Sequence, residues 1–183
     1  MKIEIAKDKA SRMINCGMVV LVSCAYEDKK NITTCAWHMP VSKQPPLITV
    51  ALAKQHFSSE LISKSKEFIV NIPAWRLLDK VVTCGSSSGR GGDKFSLSRL
   101  TPEKANILTQ AVKIAEAAGA LECSLFDTKD AGDHYIFIGE VLYCEAEEGM
   151  FGQDFWDTSK IDLIFHLGGR FFCKSQAALE YGK

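Results

Sequence analysis

Apolar positions along this chain fall into short runs closed by turn-forming or charged residues, the punctuation of an antiparallel β protein. Residues 18–26 form a β-branched run that ends at the charged turn of residues 27–30, and a second strand starts at Asn31. Residues 47–52 give a third strand, and three strands so close in sequence predict an antiparallel sheet. Residues 31–46 carry small polar side chains into Trp37 and then meet Pro40, Pro45 and Pro46. Proline lacks the backbone donor and fixes φ, so this stretch reads as a preshaped polar loop that leaves the preceding ladder. Residues 58–66 predict a short helix, with a serine N-cap candidate, Leu61 and Ile62, and lysines near the end. Residues 68–72 form a strand stopped by Pro73, and residues 74–83 alternate at helical period until Gly85 breaks them. Residues 107–114, 120–126 and 135–143 extend the β pattern, and Gly139 in the last marks a bulge or a close backbone approach. Residues 161–172 read as two strands joined across Gly168 and Gly169. With no βαβ alternation and no internal repeat, the pattern favours a closed antiparallel barrel with a few short helices over a Rossmann-type sheet.

Composition narrows the class. A chain of 183 residues that is 46% hydrophobic and 24% charged suits one domain over residues 1–183. Its 22 basic and 22 acidic residues cancel, which gives no reason to expect a nucleic-acid partner. The first ten residues interleave acids and bases without an apolar centre, and no apolar run nears the roughly 20 residues of a membrane helix. A cytoplasmic protein without a membrane partner is therefore expected. The seven cysteines (16, 24, 35, 84, 123, 144, 173) are odd in number, scattered, and lack a C-x-x-C pair. They argue for reduced thiols, against a disulfide framework and against a closed zinc site. Most lie in apolar runs as small hydrophobes, whereas Cys35 and Cys84 lie in polar segments where a thiol would be exposed and reactive.

Candidate chemistry concentrates in four places. Asn31, Thr33 and Thr34 offer polar side chains and backbone amides beside the flat ring of Trp37. Lys54, His56, Ser58 and Ser59 cluster at the start of the predicted helix, whose N-terminal amides attract anions, so a phosphate site is suggested. Residues 85–94 are rich in glycine and serine and bear Arg90, Asp93 and Lys94; P-loop spacing is missing, and a mobile active-site loop is the functional reading. His134 follows Asp133 at the head of an apolar strand, where an imidazole could reach a ligand. His38 and His166 carry less signal. No two histidines stand at metal-ligand spacing, and no Gly-x-Ser-x-Gly elbow occurs.

The order of these features resembles the flavin reductase-like FMN-binding split-barrel family, flavoredoxins above all. The resemblance is carried by Asn31-x-x-Thr34-x-x-Trp37-x-x-Pro40-x-Ser42-x-x-Pro45-Pro46, by Ser58-Ser59-Glu60-Leu61-Ile62, and by Glu67 through Pro73. It continues in Cys84-Gly-x-x-Ser88-Gly89-Arg90 with Asp93-Lys94-Phe95, in Asp133-His134 with Ile138-Gly139-Glu140-Val141, and in Gly168-Gly169. It implies a mainly β, Greek-key split β-barrel that forms a homodimer and binds FMN near the dimer interface. Carried over by residue, Asn31, Thr33, Thr34, Cys35, Ala36 and Trp37 would line the flavin, and Lys54, His56, Ser58 and Ser59 would hold its phosphate. Cys84, Ser88, Gly89, Arg90 and Lys94 would lie beside the flavin or the incoming nicotinamide, and His134 at the isoalloxazine edge, with Arg90 and His134 as catalytic candidates. The chain departs from many relatives in having Ala36 in place of a serine, and Ala53 and Lys54 where an arginine is common; a lysine supplies charge without the bidentate fork.

Three functions follow from the resemblance as expectations. One is an FMN-dependent oxidoreductase that accepts hydride from NAD(P)H and passes electrons to a flavin, metal or protein acceptor. The alternative is an FMN-carrying electron-transfer protein reduced by a partner protein, with no nicotinamide site of its own. The third is a binding module without redox chemistry, motivated by Ala36 and Ala53.

Overall fold

The computed structural model describes residues 2–15, 17–152 and 154–180; Cys16 lies outside the described residues. A short helix α1 (Ala10–Ile14) precedes β1 (Val20–Tyr26), β2 (Lys29–Cys35), β3 (His38–Lys43) and β4 (Pro46–Ala53). Helix α2 (Phe57–Ser65) leads to β5 (Glu67–Ile72), and α3 (Leu78–Ser86) and α4 (Lys94–Ser98) follow. The remaining strands are β6 (Pro102–Lys104), β7 (Val112–Ile114), β8 (Gly119–Ala131), β9 (His134–Ala146), β10 (Ile164–Gly168) and β11 (Phe171–Lys174).

Seven strands share one sheet in the order β2-β1-β5-β8-β9-β4-β3, with all its pairings antiparallel. Strands β2 and β3 sit at opposite edges of this sheet, yet only Ala36 and Trp37 separate them in sequence. A flat sheet of seven strands would be about 29 Å across, whereas three Cα steps reach at most about 11 Å. The sheet therefore has to roll until its edges meet, and the Ala36–Trp37 link marks the seam of the resulting barrel. The chain is mainly β and built as the split barrel that the sequence predicts.

This geometry corrects the reading of residues 31–46 as a loop. Asn31 to Cys35 belong to β2, and β3 runs through Pro40 with a bulge between Pro40 and Ser42. The prolines are tolerated because β3 is an edge strand and Pro46 is the first residue of β4.

Strand β1 is apolar but for the hydrogen-bonded Ser23 because both its faces are buried. Val20, Val22 and Cys24 join the barrel interior with Val50, Leu52, Phe68 and Phe137, while Leu21 packs outside with Ile32, Val81 and Phe95. Helix α2 packs Leu61 and Ile62 into the same interior, its N-cap being His56 and not the predicted serine. Helix α3 begins after a short 3-10 turn and runs through Gly85 to Ser86, so Gly85 does not end it. Gly139 does mark a close approach: a Cβ there would lie 2.5 Å from Phe68 Cζ, opposite the bulge at Phe126 in β8. The hairpin of β10 and β11 turns through Gly168 (φ 117°) and Gly169 (φ 60°), a left-handed conformation that favours glycine.

The predicted strand over residues 107–114 reduces to β7, because two carboxylates capture the backbone ahead of it. Glu122 on β8 accepts from the Asn106, Ile107 and Leu108 amides (2.6, 2.8 and 3.1 Å) and from Asn106 Nδ2. Glu67 on β5 accepts from the Thr109, Gln110 and Ala111 amides (3.2, 2.7 and 3.0 Å). Six successive amides thus find charged acceptors, and Leu108 and Ala111 close over Ile69. Residues 105–111 form a strap across β5 and β8, in the middle of the sheet. Among the described residues, no helix is long and apolar enough to cross a membrane.

Candidate functional site

The seam opens into a cavity of about 440 Å³. Thr34, Cys35, Ala36 and Trp37 form one wall, and Ala51 to Ala53 at the end of β4 form the next. The Ala51 amide donates to the Trp37 carbonyl at 2.8 Å and holds the crossing segment against β4. Trp37 is 42% exposed and its ring pairs with His134 at 5.0 Å between centroids. His134 heads β9, and its Nδ1 lies 2.6 Å from the Asp133 carboxylate. A carboxylate only accepts, so Nδ1 carries a proton toward Asp133. His56 completes this side. Its pKa lies below the ordinary histidine value, first through burial and then through the charges of Lys94 and His134.

Lys94 lies behind β2, close enough for its charge to act on His56, although it is not among the residues that line the cavity. It is buried, and its Nζ donates to the carbonyls of Ile32 (3.0 Å) and Cys84 (2.7 Å). Burial lowers its pKa, and no carboxylate within 4.0 Å pairs with it among the described residues. Asn31 lies buried on the same strand as Ile32, donating Nδ2 to Ser58 Oγ at 2.9 Å. Its Oδ1 is the one buried side-chain polar atom without a hydrogen-bond partner among the described residues. Gly89 packs against that atom; a Cβ there would come within 2.1 Å of it, so a larger residue would push the Asn31 side chain aside.

The structure brings together Thr34, Cys35, Ala36, Trp37, His56 and His134 around one cavity. Other sequence candidates are placed differently. The Ser58 and Ser59 side chains are buried, Ser58 Oγ accepting from Asn31 and Ser59 Oγ donating to the Ala53 carbonyl at 2.8 Å. Of their backbone, the Ser59 amide already donates to the His56 carbonyl at 3.0 Å, which leaves the Ser58 amide at the first turn of α2 for an anion. Thr33 is buried, and the Thr34 hydroxyl is engaged by the Val81 carbonyl at 2.7 Å. Lys54 pairs with Asp130 at 2.7 Å. Arg90 pairs with Glu60 at 2.8 Å and covers the Phe57 ring, lining a separate cleft with Gly89 and Lys30. Ser88 lies in the connection between α3 and α4, where its hydroxyl accepts from the Arg90 amide at 3.3 Å.

The expectation of exposed, reactive thiols at Cys35 and Cys84 is overturned. Both are buried, Cys35 on β2 and Cys84 within α3. Burial pushes the Cys35 thiol up to about 11 and raises that of Cys84. Sequence reasoning missed Arg12 and Asn15 near the N-terminus, and gave little weight to His166 and no site role to Gly169 on the last hairpin, all of which line the cavity. Only the Gly168-Gly169 turn gave a signal, by fixing where that hairpin folds back.

A model of the family described as Flavin reductase like domain matches residues 12–171. The chain is 29% identical over 185 residues to the uncharacterized protein YddH of Escherichia coli strain K12, covering 98% of each. It is 29% identical over 133 residues to a flavin reductase of Pseudomonas putida, covering 70% of this chain and 66% of that one. The X-ray crystal structure of flavoredoxin from Methanosarcina acetivorans matches with a TM-score of 0.88 at 25% identity, covering 99% of this chain and 95% of that one.

Proposed function

Because the chain belongs to the flavin reductase-like family, we propose that it is an FMN-dependent oxidoreductase that takes hydride from NAD(P)H and passes the electrons to a second acceptor. The observation that carries the cofactor is the unbalanced chemistry beside the seam, where β2 meets the first turn of α2. Lys94 is a buried cation without a carboxylate, and Asn31 Oδ1 is a buried acceptor without a donor. A ribityl phosphate has the hydroxyl donors and the negative charge that these groups lack. The residues present therefore fit FMN.

In this reading Thr34 to Trp37 and Ala51 to Ala53 flank the ring system through backbone and side chain. Lys94, His56 and the Ser58 amide at the first turn of α2 hold the phosphate. When bound, FMN supplies the ring that accepts a hydride and releases electrons. Trp37 shields the cavity mouth from water. Asp133 anchors the His134 ring through Nδ1, leaving Nε2 to hydrogen-bond a bound ligand.

Purified protein tests the reading directly. Titration with FMN should quench flavin fluorescence, and stopped-flow mixing with NADH and NADPH should bleach the bound flavin. A protein that quenches no flavin would sink the proposal. The flavoredoxin likeness favours a second reading, an electron carrier reduced by a partner protein; bleaching only when a reductase is added would select it. We propose also that two copies pair at the seam. Trp37, Met39 and Val41 expose 42%, 59% and 44% of their surface on or beside the edge strand β3. Sedimentation at the single-chain mass of 20.2 kDa would exclude that pairing.

A further inference from the structure

The largest cavity beside the seam is a groove of about 820 Å³ between α3 and the last hairpin. It shares Thr34, Ala36, His166 and Gly169 with the seam cavity, so the two spaces adjoin along the crossing segment. Leu78, Val81 and Val82 of α3 form one wall and Phe172 of β11 belongs to the other. Val82 is 44% exposed although it stands beside the fully buried Val81. The Phe172 ring pairs with His166 at 5.0 Å. Charge is confined to Asp79 and Arg170 among the lining residues. The groove is also fastened: Thr34 Oγ1 donates to the Val81 carbonyl at 2.7 Å, and a Cβ on Gly85 would meet that oxygen at 3.3 Å.

We propose that this groove binds a planar, apolar electron acceptor of the quinone class, seated with one edge in the seam cavity. The redox part rests on the FMN reading above; the binding part does not. Apolar walls with an aromatic pair and a few polar groups describe a small-ligand site, and the volume lies in the usual range of about 300–1,000 Å³. Hydride transfer needs reacting atoms about 3–3.5 Å apart, which an adjoining cavity permits and a remote one does not. On the FMN reading, bound reduced flavin would supply the hydride and water the proton that turn the quinone into its hydroquinone, with NAD(P)H restoring the two electrons.

The test compares the full chain with Val82→Glu, which puts a charge at a position already open to solvent. Calorimetry with 1-naphthol, a planar ring system that cannot be reduced, reads binding without turnover. The wild type should bind naphthol, and Val82→Glu should bind it about tenfold or more weakly, since a charge penalises an apolar occupant. With FMN bound, the ratio of kcat/KM for menadione to that for ferricyanide should fall about tenfold in the variant, because ferricyanide has no use for an apolar groove. Naphthol that fails to bind, equal binding by the variant, or an unchanged acceptor ratio in FMN-loaded protein would each overturn the assignment. A wild-type dimer that Val82→Glu converts to monomer, without naphthol binding, would assign the groove to a second copy of the chain instead. If the protein takes up no FMN but Val82→Glu still loses naphthol, the groove stands as a binding site and the oxidoreductase reading falls.

Discussion

The seam and the strap lie on opposite sides of the same rolled sheet and treat buried charge in opposite ways. At the strap, Glu122 is fully buried and its carboxylate takes four hydrogen bonds from Asn106, Ile107 and Leu108. At the seam, Lys94 is buried with two carbonyls and no anion, and Asn31 Oδ1 has nothing to accept. A satisfied buried charge holds structure together, whereas an unsatisfied one marks where a ligand completes the chemistry. The two regions teach that burial alone does not tell scaffold from site; the completeness of the hydrogen bonding does.

The largest effect expected from this contrast is at the strap. Glu122→Ala should leave three backbone amides without acceptors and cost about 3 kcal/mol or more of stability, read from urea denaturation. A loss under about 1 kcal/mol would erase the distinction. The strap should also be the acid-sensitive side. Burial pushes the Glu122 carboxyl up, but the three backbone amides outweigh it and hold its pKa below the ordinary glutamate value. Its stabilisation is therefore present above about pH 4.3, the unfolded value, and lost as pH falls through the lower folded value. Between pH 6 and pH 3 the urea midpoint of the wild type should drop further than that of Glu122→Gln; parallel curves would refute the linkage.

At the seam the sign should reverse. Lys94→Met removes an uncompensated buried cation, so stability should hold within about 1 kcal/mol or rise. FMN affinity, on the proposed reading, should fall about tenfold or more, equal to about 1.4 kcal/mol. A variant that loses stability and keeps FMN would place Lys94 with the scaffold. The smallest effect concerns thiols. Brief labelling of the native protein, mapped by mass spectrometry, should mark the exposed Cys144 and Cys173 and spare the buried Cys24, Cys35, Cys84 and Cys123. Rapid modification of Cys35 would show a seam more open than described.

Much of the fold was legible because periodicity and punctuation agree. β1, β4, β5 and the Gly168-Gly169 hairpin lie where the apolar runs and glycines predict them. The strap was not legible, because Ile107 and Leu108 look like a strand until Glu122, 14 residues or more away, takes their amides. The seam was half legible. Trp37 and His134 carried a signal in their own segments, but nothing local told that Arg12 or His166 would face the same space. Nor did it tell that Arg90, so suggestive in its loop, would turn to Glu60. Those placements are long-range consequences of closure and cannot be read from neighbours in sequence.

That closure has a thermodynamic meaning. The ladder from β2 through β1, β5, β8, β9 and β4 to β3 is joined end to end by the two residues Ala36 and Trp37, so the pairings form a ring. Opening any rung lets the two edges part, and the cavity they enclose goes with them. A ligand bound at the seam is thereby linked to every rung at once. By mass action it stabilises the whole ring, by about 2.7 kcal/mol at a concentration one hundred times its Kd, including strand pairs it never touches.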